Sequence, residues 1–149
     1  MAVTFDRTID VKSTPADVWD RLLELDCIAG WVEIIADVEE TTHLATYTAV
    51  LTDSVGPFRM SADLDIDVTE HAHPVLIKFT ADGEDRHVGS RIWVDATLDL
   101  KADGSGSELR FHGEYEVTGR VATLGASMIR SKASALLDKF EAGARREFG

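Results

Sequence analysis

Phe58-Arg59-Met60-Ser61-Ala62-Asp63-Leu64-Asp65-Ile66-Asp67-Val68-Thr69 alternates apolar and polar residues without a break. Successive strand side chains project to opposite faces, so Phe58, Met60, Ala62, Leu64, Ile66 and Val68 share a buried face. Asp63, Asp65 and Asp67 then form a solvated row on the other. Read as a calcium loop, the same aspartates would need glycine at the sixth position and glutamate at the twelfth. Val68 and Pro74 stand there instead, so strand alternation is the better account.

The pattern repeats on either side of this stretch. Val88, Ile92, Val94, Ala96, Leu98 and Leu100 form one row, and Leu109, Phe111, Tyr115 and Val117 form another. Val75, Ile77, Phe79 and Ala81 make a shorter run after Pro74. Turn residues fall between the runs at Gly56-Pro57, His73-Pro74, Asp82-Gly83 and Asp103-Gly104-Ser105-Gly106. Residues 34–119 therefore read as six strands in an antiparallel meander with one wet face. A seventh strand precedes them: Val3, Phe5, Ile9 and Val11 share a face that only Arg7 interrupts. Thr14 as N-cap and Pro15 at the first helical position then start a short helix. Val18, Trp19, Leu22, Leu23 and Leu25 are its apolar side, and a second very short helix or loop is expected around Cys27–Trp31.

After Gly119 the period changes from two to that of a helix. Val121, Leu124, Gly125, Met128, Ile129, Leu136 and Phe140 fall on or near one stripe. A helix over 120–147 would be about 42 Å long, enough to cross a curved sheet. The fold class is α+β: a curved seven-stranded antiparallel sheet around a long C-terminal helix, as a single domain over 1–149. Its concave face must be filled by side chains or by a ligand.

Composition narrows the function. The 149 residues carry 15 Lys+Arg against 27 Asp+Glu, a net charge of −12. An acidic surface is wrong for nucleic acid, whose phosphates require cations. One cysteine, Cys27, excludes a disulfide framework and a cysteine-based zinc cluster within the chain. No apolar run is long enough to span a bilayer, so a cytoplasmic protein is expected. The charge is uneven. Residues 1–119 hold 9 basic and 24 acidic side chains, whereas residues 120–149 hold 6 and 3. Cations late in a helix suit its dipole; they also suit an acidic partner or an anionic membrane.

Catalytic signatures are missing: no Walker loop, dinucleotide-binding glycine motif, Gly-x-Ser-x-Gly elbow or His-Glu-x-x-His pair. His71 and His73 share a strand face but adjoin Pro74, which places them at an exposed turn rather than on a metal. His43, His87 and His112 are isolated. Cys27 follows Asp26, which does not lower a thiol's pKa. Trp93 lies on the wet face as a partly covered aromatic. Gly113 and Gly125 withhold side-chain volume where sheet and helix meet. The expected pocket is thus lined by Trp31, Phe58, Met60, Ile92, Val94, Phe111, Tyr115, Leu124, Gly125 and Met128. The Tyr115 hydroxyl is its one polar tip, placed to orient a carbonyl oxygen. Trp31 is expected in the core or at the pocket mouth.

Four segments occur in a telling order: Val18-Trp19, Cys27-Ile28-Ala29-Gly30, Val55-Gly56-Pro57-Phe58, and Gly119-Arg120-Val121-Ala122-Thr123-Leu124-Gly125-Ala126-Ser127. With this layout the chain resembles the carbon monoxide dehydrogenase G-subunit family of the helix-grip, START-like (SRPBCC) superfamily. The resemblance covers nearly the whole chain, and 119–125 is its most specific part. Where that family usually has Cys-Ile-Pro-Gly, Ala29 replaces the proline. The resemblance implies a non-catalytic accessory of a carbon monoxide dehydrogenase-type molybdenum hydroxylase, peripheral at the inner face of the cell membrane. It further implies a hydrophobic ligand, a quinone or a lipid, and no covalently bound cofactor; the residues themselves lead to the expectation of no metal. Two alternatives belong to the same superfamily. A polyketide cyclase/aromatase-like enzyme would need an acid or base such as Tyr115, His112 or Arg7 in the pocket, although alternation turns His112 away. An Hsp90-activator-like interaction module would have a filled core.

Overall fold

The alternating runs are realised as pleated strands with their apolar rows on the concave face, except that Val75 lies at the turn before its strand and is 47% exposed. In the computed structural model, residues 2–22, 31, 35–43, 45–55, 57–85 and 89–149 are described. The expectations placed on Leu23, Leu25, Cys27, Ile28, Ala29, Gly30, Gly56, His87 and Val88 lie outside the described residues, as does nearly all of the expected second short helix. The elements are β1 (Val3–Val11), α1 (Pro15–Leu22), β2 (Ile35–Thr42), β3 (Thr46–Val55), β4 (Phe58–Ala72), β5 (Leu76–Asp85), β6 (Ser90–Asp103) and β7 (Gly106–Gly119). A 3-10 turn (Val121–Leu124) and the long helix α2 (Ala126–Phe148) complete the chain.

The strands form one sheet in the order β1-β7-β6-β5-β4-β3-β2, antiparallel throughout. On β4, Met60, Ala62 and Leu64 are buried while Asp63, Asp65 and Asp67 are exposed, which is the register that alternation demands. At the head of α1, the Asp17 amide donates to the Thr14 hydroxyl and the Val18 amide to the Thr14 carbonyl, as expected of an N-cap.

Two further expectations need correction. Asp82-Gly83 is not a turn: β5 continues through it, pairing Gly83 with both Leu64 and Ile92. A Cβ on Gly83 would sit 2.3 Å from the Leu64 side chain, so this glycine makes room for the neighbouring strand's leucine. The helix over 120–147 is also not continuous. Gly125 adopts φ 98° and ψ 154°, conformations open essentially to glycine alone, and separates the 3-10 turn from α2.

The concave face carries two packed clusters. One joins Ile9, Val11, Val18, Trp19, Leu22, Trp31, Leu98, Leu100, Leu109, Ala144 and Phe148 beneath the C-terminal end of α2. There the Lys12 and Ser13 amides and the Ser13 hydroxyl all donate to the Phe148 carbonyl, fixing the helix end to the β1–α1 connection. The other joins Met60, Ala62 and Val121 with the partly buried Leu51, Phe58, Ile92, Val117, Leu124 and Ile129 at the helix's N-terminal end. Inward charges hold the helix from both sides. Arg7 on β1 donates to Asp138 at 2.7 Å and to Ser134 at 3.3 Å, and Lys132 lies 3.3 Å from Asp53 on β3. The interruption of β1's apolar row by Arg7 is therefore an attachment point for α2.

Candidate functional site

Between the two clusters, several inward apolar residues are only half-buried and join neither: Phe5, Ile66, Phe79, Val94 and Tyr115 from the sheet, Ala133, Leu136 and Leu137 from the helix. Strand alternation points the sheet residues at the helix. The helix opposes them with small or short-reaching side chains over its middle turns. Close packing normally fills such space, so partial exposure on an inward face marks a hollow under the middle of α2.

The hollow opens beside the edge strand. A groove of about 510 Å³ runs between β1 and α2, lined among others by Val3, Phe5, Arg7, Tyr115, Arg130 and Leu137. Phe5 links it to the interior: its ring lies 5.1 Å from Phe111, which stacks on Phe79 at 6.3 Å and meets Phe140 at 4.9 Å. Burial raises the Tyr115 phenol's pKa and the Arg130 guanidinium partly opposes this, so the hydroxyl remains a proton donor at neutral pH. The lining is mixed, with Val3, Phe5, Ala133 and Leu137 between Arg7 and Ser134 at one end and Arg130 and Tyr115 at the other, the make-up of a site for an amphiphile.

A second hollow, of about 600 Å³, lies on the convex face among Ser61, Asp63, Asp65, Asp82, Glu84 and Arg91. Arg91 makes two hydrogen bonds to Asp82, and the guanidinium lowers that carboxyl's pKa. The depression is a solvated ion-pair surface. His112 also lies on the convex face, 2.7 Å from Asp99, away from the concave hollow. Among the described residues, no group of three or more His, Cys, Asp or Glu side chains is arranged to hold a metal ion.

The residues expected to line one pocket are distributed over four places. Val94 and Tyr115 border the central hollow, and Phe111 packs against the C-terminal cluster while touching Phe5. Phe58, Met60, Ile92 and Leu124 pack in the N-terminal cluster. Trp31 is 8% exposed in the other cluster, edge-on to Phe140 and Phe148 and flat against Gly143, where a Cβ would lie 2.3 Å from its ring. Met128, 39% exposed, and Gly125, also exposed, face away from the sheet, because the break at Gly125 resets the helical phase. Nor does Gly113 leave room for the helix: a Cβ there would meet the Asp95 carbonyl at 2.1 Å, so its absence lets β7 approach β6.

Residues 8–148 match the family of the carbon monoxide dehydrogenase G subunit (CoxG). The chain belongs to the CoxG family. Solved structures agree on the fold. A conserved protein from Geobacillus kaustophilus superposes with a TM-score of 0.85 at 22% identity, covering 98% of this chain and 95% of that one. A START superfamily protein from Mycobacterium smegmatis does so with a TM-score of 0.73 at 10% identity, covering 97% and 96%. The Zhui aromatase/cyclase from a Streptomyces species follows with a TM-score of 0.66 at 13% identity, covering 96% and 88%. No curated protein sequence matches this chain. The helix-grip, START-like fold expected from the resemblance is the fold found.

For this CoxG family member, sequence reasoning missed Phe5, Phe79, Arg130 and Leu137 at the hollow. Phe5 and Phe79 were legible as members of inward rows. Arg130 and Leu137 were not, since their direction depends on where Gly125 restarts the helix. No helix among the described residues is long and apolar enough to cross a membrane.

Proposed function

We propose that this protein is a non-catalytic accessory of a carbon monoxide dehydrogenase-type molybdenum hydroxylase. It carries a hydrophobic ligand, a quinone or a lipid, beneath α2 and helps to link the enzyme to the membrane. The observation that carries the ligand part is the row of half-buried apolar residues left between two well-packed clusters, opening into the β1–α2 groove. Family membership supports the enzyme partner. Three polar groups on the concave face, among the described residues, support a carrier over a catalyst. Arg7 and Asp53 are each taken up by an ion pair to α2, and Tyr115 holds its proton. A general base must be free to take a proton; Asp53 is bound to Lys132, and Tyr115 holds its own.

Native mass spectrometry of the purified protein, before and after organic extraction, tests this reading. A co-purifying lipophile at close to one per chain is expected. Ligand-free protein that also fails to bind a short-chain quinone or a lipid would favour an interaction module with a filled core.

A further inference from the structure

We propose that the β1–α2 groove selects amphiphiles with an anionic head, a long-chain carboxylate above all, and that Arg130 and the Tyr115 hydroxyl are its head-group donors. The inference rests on the reading of the hollow as a ligand site and chooses between its two ligand classes. Two cations line the groove, at opposite ends. Arg7 is satisfied, with one guanidinium nitrogen 2.7 Å from Asp138 and the other 3.3 Å from the Ser134 hydroxyl. Arg130 has no carboxylate within ion-pair distance among the described residues, yet it lies close enough to Tyr115 to act electrostatically on its phenol.

The register sets the direction of the groove. Val3 pairs with Tyr115 and Arg7 with Phe111, so the groove runs from the Arg130–Tyr115 end toward Arg7 and Ser134. From residue 130 to residue 137 the helix advances about 10 Å, a span suited to an alkyl chain laid on Val3, Phe5 and Leu137. Both groups at the open end donate hydrogen bonds. Asp6, the carboxylate nearest in the lining, is bound through two contacts to Arg110. A neutral carbonyl would use one donor and leave the guanidinium charge unanswered, whereas a carboxylate accepts from both and neutralises it. The protein's overall negative charge opposes anions at long range, but salt screens that field beyond about 8–10 Å.

The test compares decanoate with 1-decanol, matched in chain and different in head. Binding is followed by intrinsic Trp fluorescence near neutral pH, with circular dichroism as the check on folding. Wild type should prefer decanoate by about tenfold, the gain ordinary for a hydrogen bond to a charged group. Arg130→Gln should bring that preference close to unity by weakening decanoate binding, while Arg130→Lys should retain most of it. In wild type alone, added salt should weaken decanoate and not decanol. Equal affinity for the two ligands in wild type would overturn the anionic head and leave the ligand site standing. Failure of both to bind would overturn the two together. A decanoate preference that survives Arg130→Gln would overturn the assignment to Arg130.

Discussion

The two ends of α2 and its middle meet the same sheet in different ways. At the C-terminal end Trp31 lies flat on Gly143, Phe148 is buried, and the last carbonyls are hydrogen-bonded to the β1–α1 connection. Over the middle, Ala133 and Leu137 face Phe5 and Tyr115, and the inward aromatics stay half-exposed. One sheet with one pleat supports both arrangements. The difference comes from what the helix presents: a glycine that admits an indole where the core is closed, small side chains without an indole opposite where it is open. A helix seated this way keeps its packing at one end and leaves space over its middle.

The sharpest way to break that division is at the closed end. Trp31→Ala should destabilise the protein by about 3–5 kcal/mol, the usual cost of emptying a buried aromatic site. Urea unfolding followed by circular dichroism measures it. A loss below about 1 kcal/mol would mean that the indole is not what closes this end.

Alkaline pH is the next largest effect, and it concerns the far edge of the sheet. Burial, together with a hydrogen bond to Glu40, pushes the Tyr47 phenol up to about 12. The folded value is raised, so this contribution to stability is fully present below the unfolded value near 10. It declines as pH rises from there through the folded value. The loss should reach about 2 kcal/mol, and Tyr47→Phe should flatten it. Thermal unfolding across this range is the measurement. Tyr115, also raised, adds to the same limb, so some slope should remain in the Tyr47→Phe variant.

Gly125→Ala comes next. At φ 98° and ψ 154° any side chain is strained, so about 1–3 kcal/mol should be lost. A Cβ there meets nothing within 4 Å, so ligand affinity should not change. A substitution that left stability untouched but abolished binding would restore Gly125 to the pocket.

How far the sequence could be read follows from these same residues. Period-two alternation names the inward rows of β1, β4, β5, β6 and β7, because a one-residue slip on β4 would have buried Asp63, Asp65 and Asp67. It counts β2 and β3 without giving them a row, and it wrongly places Val75 in one. The single inward charge on β1, Arg7, stood out as an anomaly, but its partners Asp138 and Ser134 are more than a hundred residues away and no local pattern names them. The site was harder to read because it depends on helix phase. A continuous helix would have pointed Met128 inward; the glycine break points Leu137, Ala133 and Arg130 at the groove instead. Gly113 was read as missing volume, yet only the approach of the β6 backbone reveals why its Cβ is absent.

The central claim is that the space beneath the middle of α2 holds an apolar ligand while the ends hold the fold. Ala133→Trp tests it most directly, because this residue lines the groove and belongs to neither packed cluster. Wild type and variant are titrated with decanoate by isothermal calorimetry, and their stabilities are compared in urea. The account predicts one site in wild type, an affinity at least about tenfold weaker in the variant, and stabilities within about 1 kcal/mol of each other. Equal affinities in two equally stable proteins would contradict it.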